Sequence, residues 1–334
     1  MAHTWSPAIG EPNLSVNVHH GFQDIMAFWG LTYKRMRPDI AMHGSPERAA
    51  YRSVVEDEKS MLLILEKIPS GSYSDKLRIC RSLAFLRKRG METVQPCLCN
   101  DEGRYMMRCG NEKWQILPYI EGVPLQRPEY VFHRWRGKEA AEFLVHLRKA
   151  SEGMPFFVQD HSFSLKDYFI DMTQKMRVYH PEIFTRLAPI IDFVEQAFLD
   201  IYDELPVAFC HGDYHPLNII WSENGIASVI DWEFAGYKSD VYDVANMLGC
   251  IGIEEPTSLV GDFALDFMSQ IKEEGIISTI SWNTLLEFII TLRFAWLAEW
   301  LRNCDHEMID LELDYMGLLL DSRHTIGRKW GMKE

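Results

Sequence analysis

The sequence lacks the commonest nucleotide-binding and hydrolase signatures. Its 334 residues contain no Gly-Xaa-Gly and no Walker-type loop ending in Gly-Lys-Ser/Thr, so neither a dinucleotide-binding turn nor a P-loop is predicted. There is also no Gly-Xaa-Ser-Xaa-Gly and no His-Glu-Xaa-Xaa-His, which argues against the usual α/β-hydrolases and zinc peptidases. A different motif must therefore indicate the chemistry of this chain.

Long apolar runs and positive charge are also scarce. The longest uncharged stretch of the C-terminal half covers residues 275–286, short of the roughly 20 residues that a membrane helix needs. With 48 acidic and 34 basic residues the net charge is −14, whereas a nucleic-acid backbone attracts a basic surface. We expect no membrane and no nucleic-acid partner, while a cationic small molecule or a metal ion would suit the charge.

Cysteine usage and the N-terminal residues bear on location. Seven scattered cysteines, an odd number, do not resemble the disulfide framework of a small secreted domain. The first residues lack the basic start and apolar run of a secretory signal. A cytoplasmic location is therefore expected, and the oligomeric state stays open.

The pattern of elements changes along the chain. Residues 18–29 are apolar at mixed spacing and end at Gly30, a plausible helix stop. Short strand-like segments then dominate up to residue 119, interrupted by a helical stretch at residues 74–89. Beyond residue 124 the apolar spacing becomes helical, at 138–149, 165–176, 183–205, 285–302 and 309–320. The pattern predicts an α+β chain with a small antiparallel-sheet lobe (1–118), a hinge (119–124) and a larger helical lobe (125–334).

One strand-rich interruption of the helical part carries the most informative residues. It reads His211-Gly212-Asp213-Tyr214-His215-Pro216-Leu217-Asn218, followed after a short gap by Ile230-Asp231-Trp232-Glu233. The turn at 222–225 predicts a hairpin of residues 217–221 with 226–230, which would bring Asn218 close to Asp231. Asp213 lies on the loop that leads into this hairpin. Three oxygen-bearing side chains so placed would suit Mg²⁺, which prefers oxygen ligands.

This pair of motifs resembles the aminoglycoside phosphotransferase and choline kinase superfamily of small-molecule kinases. The resemblance implies a two-lobe protein-kinase-like fold with ATP and Mg²⁺ as cofactors. Asp213 would position the attacking hydroxyl and accept its proton, and His211 would brace the catalytic loop. Asn218 and Asp231 would hold Mg²⁺ against the ATP phosphates.

Two further residues near the motif favour structural roles. His215 is expected to be a buried histidine that hydrogen-bonds to the backbone or to a nearby acid. Asp243 matches the acid that the family places at the start of the next helix, where a carboxylate can cap exposed N–H groups.

The sequence departs from the family where a strand lysine and a helix glutamate are expected. The strand offers Glu66 and Lys67 on opposite faces, and the helix at 74–89 is basic with Asp75 as its single acid. In one arrangement Lys67 reaches the ATP phosphates. In the other, Glu66 pairs with Arg78 or Arg81, and this basic side chain of the helix lies near the phosphates.

Other nucleotide contacts are predicted from the same resemblance. The turn that begins at Gly44 is similar to the family's turn over the nucleotide, so Ser45 and Arg48 are candidate phosphate contacts. Pro118 and Tyr119, where the small lobe meets the predicted hinge, are candidate contacts with the nucleotide.

The predicted activity is phosphorylation of a hydroxyl of a small metabolite, such as an amino alcohol, homoserine, a sugar or an aminoglycoside. Trp296, Glu299 and Trp300 fall where the family lines its acceptor pocket, and aromatic rings beside acids would suit an amine-bearing acceptor. Because fold does not fix substrate, the acceptor itself stays open.

A second hypothesis is a catalytically weak or inactive kinase-like module that binds nucleotide or a protein partner, as in spore-coat relatives of the superfamily. The absent helix glutamate favours this hypothesis, whereas the intact Asp213, Asn218 and Asp231 oppose it. A protein-serine kinase is disfavoured, since the loop reads His-Gly-Asp and no Ala-Pro-Glu follows.

Overall fold

The structure is a computed structural model that describes residues 18–42, 49–155 and 163–332. These residues form two compact units. The first contains residues 18–42, 49–73 and 97–119, and the second contains residues 74–96, 120–155 and 163–332. The helix at the start of the second unit thus groups with the helical part of the chain. The boundaries 1–118, 119–124 and 125–334 as functional lobes and hinge stay a prediction.

The first unit is a five-stranded antiparallel sheet with one helix. Its strands pair in the order β1-β2-β3-β5-β4. The elements are α1 (Val18–Ala27), β1 (Tyr33–Met36), β2 (Tyr51–Asp57), β3 (Leu62–Lys67), β4 (Met107–Cys109) and β5 (Glu112–Pro118). Asp57 fixes the β2–β3 turn, because its carboxylate accepts the N–H groups of Lys59 and Met61.

The core of this unit lies on one face of the sheet. Three side chains of α1, Phe22, Ile25 and Met26, pack against buried residues of β2, β3 and β5. On β3 the contributing residues are Leu63 and Leu65, which alternate with residues of the opposite face. The sheet is therefore covered by α1 on the Leu63–Leu65 side.

The second unit is mainly helical. Its helices are α2 (Tyr73–Lys88), α3 (Arg134–Ala150), α4 (Leu165–Tyr179), α5 (Pro181–Ala197), α6 (Leu199–Tyr202), α7 (Tyr242–Glu254), α8 (Asp262–Glu274), α9 (Thr279–Asn283), α10 (Leu285–Asn303) and α11 (His306–Lys329). Aromatic side chains fill much of its core. Phe169 of α4 meets Phe294 of α10 edge to face, with ring centroids 4.8 Å apart, and Phe263 and Phe267 of α8 are fully buried.

Two small sheets interrupt the helices and carry the motif. Strand β6 (Val207–Cys210) pairs antiparallel with β9 (Gly236–Ser239), and β7 (Ile219–Trp221) pairs with β8 (Ile226–Val229). The predicted hairpin is confirmed, with Ile219 opposite Val229. The loop between β6 and β7 and the turn between β8 and β9 therefore hold the residues singled out by the sequence.

Some predicted elements differ in extent. The helix expected at 74–89 is confirmed as α2, whereas the single helix expected at 183–205 is two helices. Phe198 separates them, because its backbone (φ −129°, ψ −40°) leaves the helical region while its ring stays buried. Packing of this aromatic side chain sets a break that apolar spacing does not reveal.

Among the helices that the structure describes, none has the length and apolar character needed to cross a membrane.

The cysteines give the predicted cytoplasmic location no support. Cys80 and Cys97 are disulfide-bonded, while Cys99, Cys109, Cys210, Cys250 and Cys304 are free.

Candidate active site

The loop that joins β6 to β7 is fixed by backbone capping. The Asp243 carboxylate, at the start of α7, accepts the N–H groups of His211 (2.7 Å) and Gly212 (2.8 Å). It thus caps the loop rather than its own helix, contrary to the expectation from sequence. Burial raises the pKa of Asp243 to about 6, against the lowering effect of the two N–H donors.

Gly212 is required by both conformation and space. Its φ of 84° lies in the left-handed region, which side chains other than glycine rarely adopt. A Cβ at this position would meet the carbonyl oxygen of Phe234 at 2.2 Å. The loop therefore lies directly against the segment that follows Asp231.

Asp213 lies at the exposed side of this loop and is oriented by its neighbours. The Asn218 amide Nδ2 donates to Asp213 Oδ2 (3.1 Å) and to the Asp213 backbone carbonyl (2.9 Å). The Asp213 side chain is 18% exposed, so its carboxylate is held in place while remaining accessible. This is the arrangement that a hydroxyl-orienting carboxylate requires.

His211 links the loop to the strand that precedes Asp231. The buried imidazole accepts the Asp213 N–H at Nδ1 (3.2 Å), and its Nε2 lies 2.8 Å from the Ile230 carbonyl oxygen, to which it donates in this tautomer. Burial lowers the pKa of His211 to about 3, so the ring is neutral at pH 7. Its contacts join Asp213 to Ile230 and do not leave a nitrogen for proton transfer to a substrate.

Asn218 and Asp231 lie at neighbouring ends of β7 and β8. The Ile230 N–H donates to the Asn218 backbone carbonyl at 2.9 Å, one residue before Asp231. Asp231 adopts a left-handed conformation (φ 62°, ψ 56°), which costs on the order of 1 kcal/mol for a residue other than glycine. The structure therefore brings Asp213, Asn218 and Asp231 to one place, with Asp231 held in a strained backbone.

His215 sits behind Asp213. Its Nε2 lies 3.6 Å from Asp213 Oδ1, and its ring meets the edge of Trp296 with centroids 5.8 Å apart. Burial and the charges of Arg293 and Arg127 lower the pKa of His215 to about 4. Because the imidazole is neutral at pH 7, its contact with Asp213 is polar rather than an ion pair.

The predicted phosphate lysine is engaged within the first unit. Alternate residues of a strand point to the same face of the sheet, so Lys67 shares the face of Leu63 and Leu65, which α1 covers. Its ammonium group pairs with the Glu112 carboxylate. Its contact with a nucleotide stays a prediction.

The alternative in which Glu66 pairs with Arg78 or Arg81 stays a prediction, and Glu66 has other partners within the first unit. Glu66 is buried on the opposite face of the sheet, where Arg52 Nε lies 2.8 Å from its carboxylate and Gln115 donates to it at 2.6 Å. Arg78 instead donates to the Ala235 carbonyl. Both neighbouring strands of the sheet, β2 and β5, therefore supply partners for the Glu66 carboxylate.

Of the four other residues predicted to contact the nucleotide, the structure describes two, Pro118 and Tyr119. Pro118 ends β5 opposite Leu63, and the Tyr119 N–H donates to the Leu62 carbonyl at 3.1 Å. Tyr119 also donates its hydroxyl to the Ala41 carbonyl at 3.3 Å. Ser45 and Arg48 lie outside the described residues.

The aromatic residues predicted near the acceptor form a connected cluster. Trp296 donates to Asn246 Oδ1 (3.3 Å) and stacks on Trp300 with centroids 6.1 Å apart. Trp300 donates to Glu312, which is buried in a two-bond pair with Arg293. Glu299 pairs with Arg302 on an exposed surface and therefore does not leave its charge to these rings.

Sequence reasoning missed several residues around the motif. Lys76 of α2 is buried against Glu233, and Lys238 donates to the Phe234 carbonyl at 2.7 Å. Asn246 holds the loop through the Tyr214 carbonyl (3.3 Å). Lys76 was visible in the sequence as one of the basic residues of α2, but its partner was not.

Comparison with known proteins identifies a family. A profile of the phosphotransferase enzyme family matches residues 48–268, well over half of the chain. This match confirms the resemblance found in the motif. The homoserine kinase of Phenylobacterium zucineum (strain HLK1) is 23% identical over 212 residues, which are 59% of this chain and 62% of that protein. The chain thus spans less than two thirds of the length of this curated relative.

Solved structures show the same fold. A microcompartment-associated aminopropanol kinase superposes with a TM-score of 0.67 at 14% identity, over 92% of this chain and 98% of that one. An amicoumacin kinase in complex with AMP-PNP, Ca²⁺ and Ami gives a TM-score of 0.63 at 15% identity, over 95% and 94% of the two chains. These similarities confirm the predicted α+β, two-lobe protein-kinase-like fold.

Proposed function

The chain belongs to the phosphotransferase enzyme family, and we propose that it is a small-molecule kinase that transfers the γ-phosphoryl group of ATP, with Mg²⁺, to a hydroxyl of a small metabolite. The observation that carries this proposal is the hydrogen-bonded convergence of Asp213 and Asn218 beside Asp231. A structural role alone would not require a carboxylate that is both oriented and accessible.

Asp213 acts on the acceptor. Its carboxylate accepts the proton of the attacking hydroxyl and aligns the oxygen with phosphorus, as the O–P bond forms and the bond to the ADP leaving group breaks. Asn218 donates one N–H hydrogen bond to Oδ2 of this carboxylate, and the neutral His215 ring lies 3.6 Å from its other oxygen, Oδ1. His211 joins this loop to the strand of Asp231, so that the two stay in register.

Asn218 and Asp231 would hold the metal ion. Among the described residues no group of three His, Cys, Asp or Glu side chains forms a metal site. One carboxylate and one amide oxygen suit Mg²⁺, which takes one or two carboxylates and completes its shell with water and phosphate oxygens. When bound, Mg²⁺ offsets the charge of the phosphates. The amicoumacin kinase was solved with AMP-PNP and Ca²⁺, which supports a nucleotide and a divalent cation here.

The charges near the loop favour an acceptor without a carboxylate. Arg293 and Arg127 are the cations that act on His215, and both are paired, with Glu312 and Glu254 respectively. Neither offers an uncompensated charge to a carboxylate group. The Trp296 ring already has the Arg293 guanidinium 5.4 Å from its centroid, and the half-buried Trp300 ring beside it would suit an ammonium group. We therefore favour amine-bearing alcohols that lack a carboxylate, such as simple amino alcohols and aminoglycosides, over homoserine and neutral sugars.

A panel of metabolites tests this proposal. Purified protein is incubated with ATP and Mg²⁺ and with amino alcohols, aminoglycosides, homoserine or sugars, and phosphorylated products are detected by mass spectrometry. We expect phosphorylation of at least one amine-bearing alcohol that lacks a carboxylate, with a kcat/KM at least tenfold above that for homoserine. Transfer to none of the alcohols would contradict the kinase assignment, and a preference for homoserine would contradict the acceptor class.

A further inference from the structure

Lys76 occupies an electrostatically unfavourable position. It lies in the first turn of α2, next to Asp75, where the helix dipole disfavours a cation, and it is only 7% exposed. Its ammonium pairs with the carboxylate of Glu233, whose side chain is 22% exposed. A buried ammonium needs such a partner, so the two residues depend on each other.

Glu233 connects this pair to the candidate metal ligand. It lies two residues after Asp231, in the short 3-10 helix Trp232–Phe234. Arg78, two residues after Lys76 on the same helix, donates to the Ala235 carbonyl at 2.5 Å. One side chain of α2 therefore bonds to the backbone that leaves Asp231, and a second pairs with the Glu233 side chain of the same segment.

The other side of Asp231 is held independently. The Ile230 N–H is bonded to Asn218, and the Ile230 carbonyl is bonded to His211. Between the two anchored sides stands a residue in the left-handed region, a conformation that persists only where its surroundings impose it. The direction of the Asp231 carboxylate thus depends on the contacts made by α2 as well as on the hairpin.

We propose that Lys76 is a positioning residue for Asp231, which it orients toward the metal ion through its ion pair with Glu233. The inference rests on the proposed function, because it takes Asp231 as a metal ligand. Lys76 itself does not contact the reacting atoms. Groups that hold a metal ligand in place typically contribute 10- to 100-fold to metal affinity, and this sets the size of the expected effect.

The test measures metal binding rather than turnover. Mn²⁺ replaces Mg²⁺ and its binding in the presence of AMP-PNP is followed by electron paramagnetic resonance, in wild type, Lys76→Met and Glu233→Gln. We expect each variant to bind Mn²⁺ 10- to 100-fold more weakly. Because both remove the same pair, the double variant should bind no more than about threefold more weakly than the weaker single variant.

A matched control separates positioning from general stability. Lys166 of α4 is also a partly buried lysine paired with an acid, Asp203, and Lys166→Met should leave Mn²⁺ affinity unchanged. If Lys76→Met does not fold, Glu233→Gln, which keeps the shape of the side chain, carries the test.

The possible failures are distinguishable. If wild type binds Mn²⁺ and AMP-PNP while both variants retain affinity within twofold, Lys76 is not a positioning residue and the proposed function stands. A lower melting temperature with unchanged Mn²⁺ affinity would likewise rule out the positioning role. If wild type itself binds no Mn²⁺ with AMP-PNP, the metal site of the proposed function is wrong, and the positioning role of Lys76 is contradicted as well.

Discussion

Asp213→Asn is expected to reduce kcat about 10²- to 10⁴-fold, the usual contribution of a general base. Asparagine has nearly the same shape and can still accept the hydrogen bond that Asn218 donates to Asp213 Oδ2. It cannot take a proton from the attacking hydroxyl. Because Asp213 is not one of the proposed metal ligands, nucleotide binding in the presence of Mg²⁺ should be nearly unchanged.

Steady-state kinetics on the best acceptor of the panel, together with the melting-temperature shift produced by ATP and Mg²⁺, measure both parts of this prediction. Asp192→Asn, at an exposed position of α5, is the control and should leave kcat unchanged. If Asp213→Asn turned over within a few-fold of wild type, Asp213 would have no part in proton transfer.

Replacement of Asp231 is expected to remove the stabilisation by ATP that depends on Mg²⁺. A ligand present at 100 times its dissociation constant stabilises the folded state by about 2.7 kcal/mol, and most of this should vanish without the Asp231 carboxylate. Asp231→Gly is the sharper variant, because glycine adopts the left-handed backbone of this position at no steric cost. Asp231→Ala removes the same carboxylate but adds backbone strain.

Melting temperatures with ATP and Mg²⁺, and with ATP and EDTA, measure this effect in wild type and in both variants. Loss of the shift in both variants would assign it to the carboxylate, whereas loss in Asp231→Ala alone would assign it to the backbone. An equal shift with EDTA in wild type would favour a module that binds nucleotide without a metal ion.

The local part of the candidate site is predictable from sequence. A turn between two apolar segments specifies the hairpin of β7 and β8, and this hairpin alone brings Asn218 close to Asp231. The apolar stripe of α2 was readable in part, since Cys80, Leu83 and Leu86 of the apolar spacing are buried. In both cases the deciding interactions join residues that are close in the chain.

The charge partners were not predictable. Glu66 and Lys67 are adjacent, and alternation alone cannot say which face of the sheet α1 covers. The pairing of β2 with β3 then places Arg52 opposite Glu66, a contact fixed by register. Lys76 finds Glu233 only through the packing of α2 against the catalytic segment, which no local pattern encodes.

A crystal structure with AMP-PNP and Mg²⁺ tests the central claim most directly. We predict that one Mg²⁺ is bound by Asn218 Oδ1 and the Asp231 carboxylate and by phosphate oxygens of the nucleotide. We also predict that the Asp213 carboxylate faces the γ-phosphate across a space that admits a hydroxyl. A metal ion held by other residues, or a nucleotide whose γ-phosphate lies away from Asp213, would contradict the proposed kinase site.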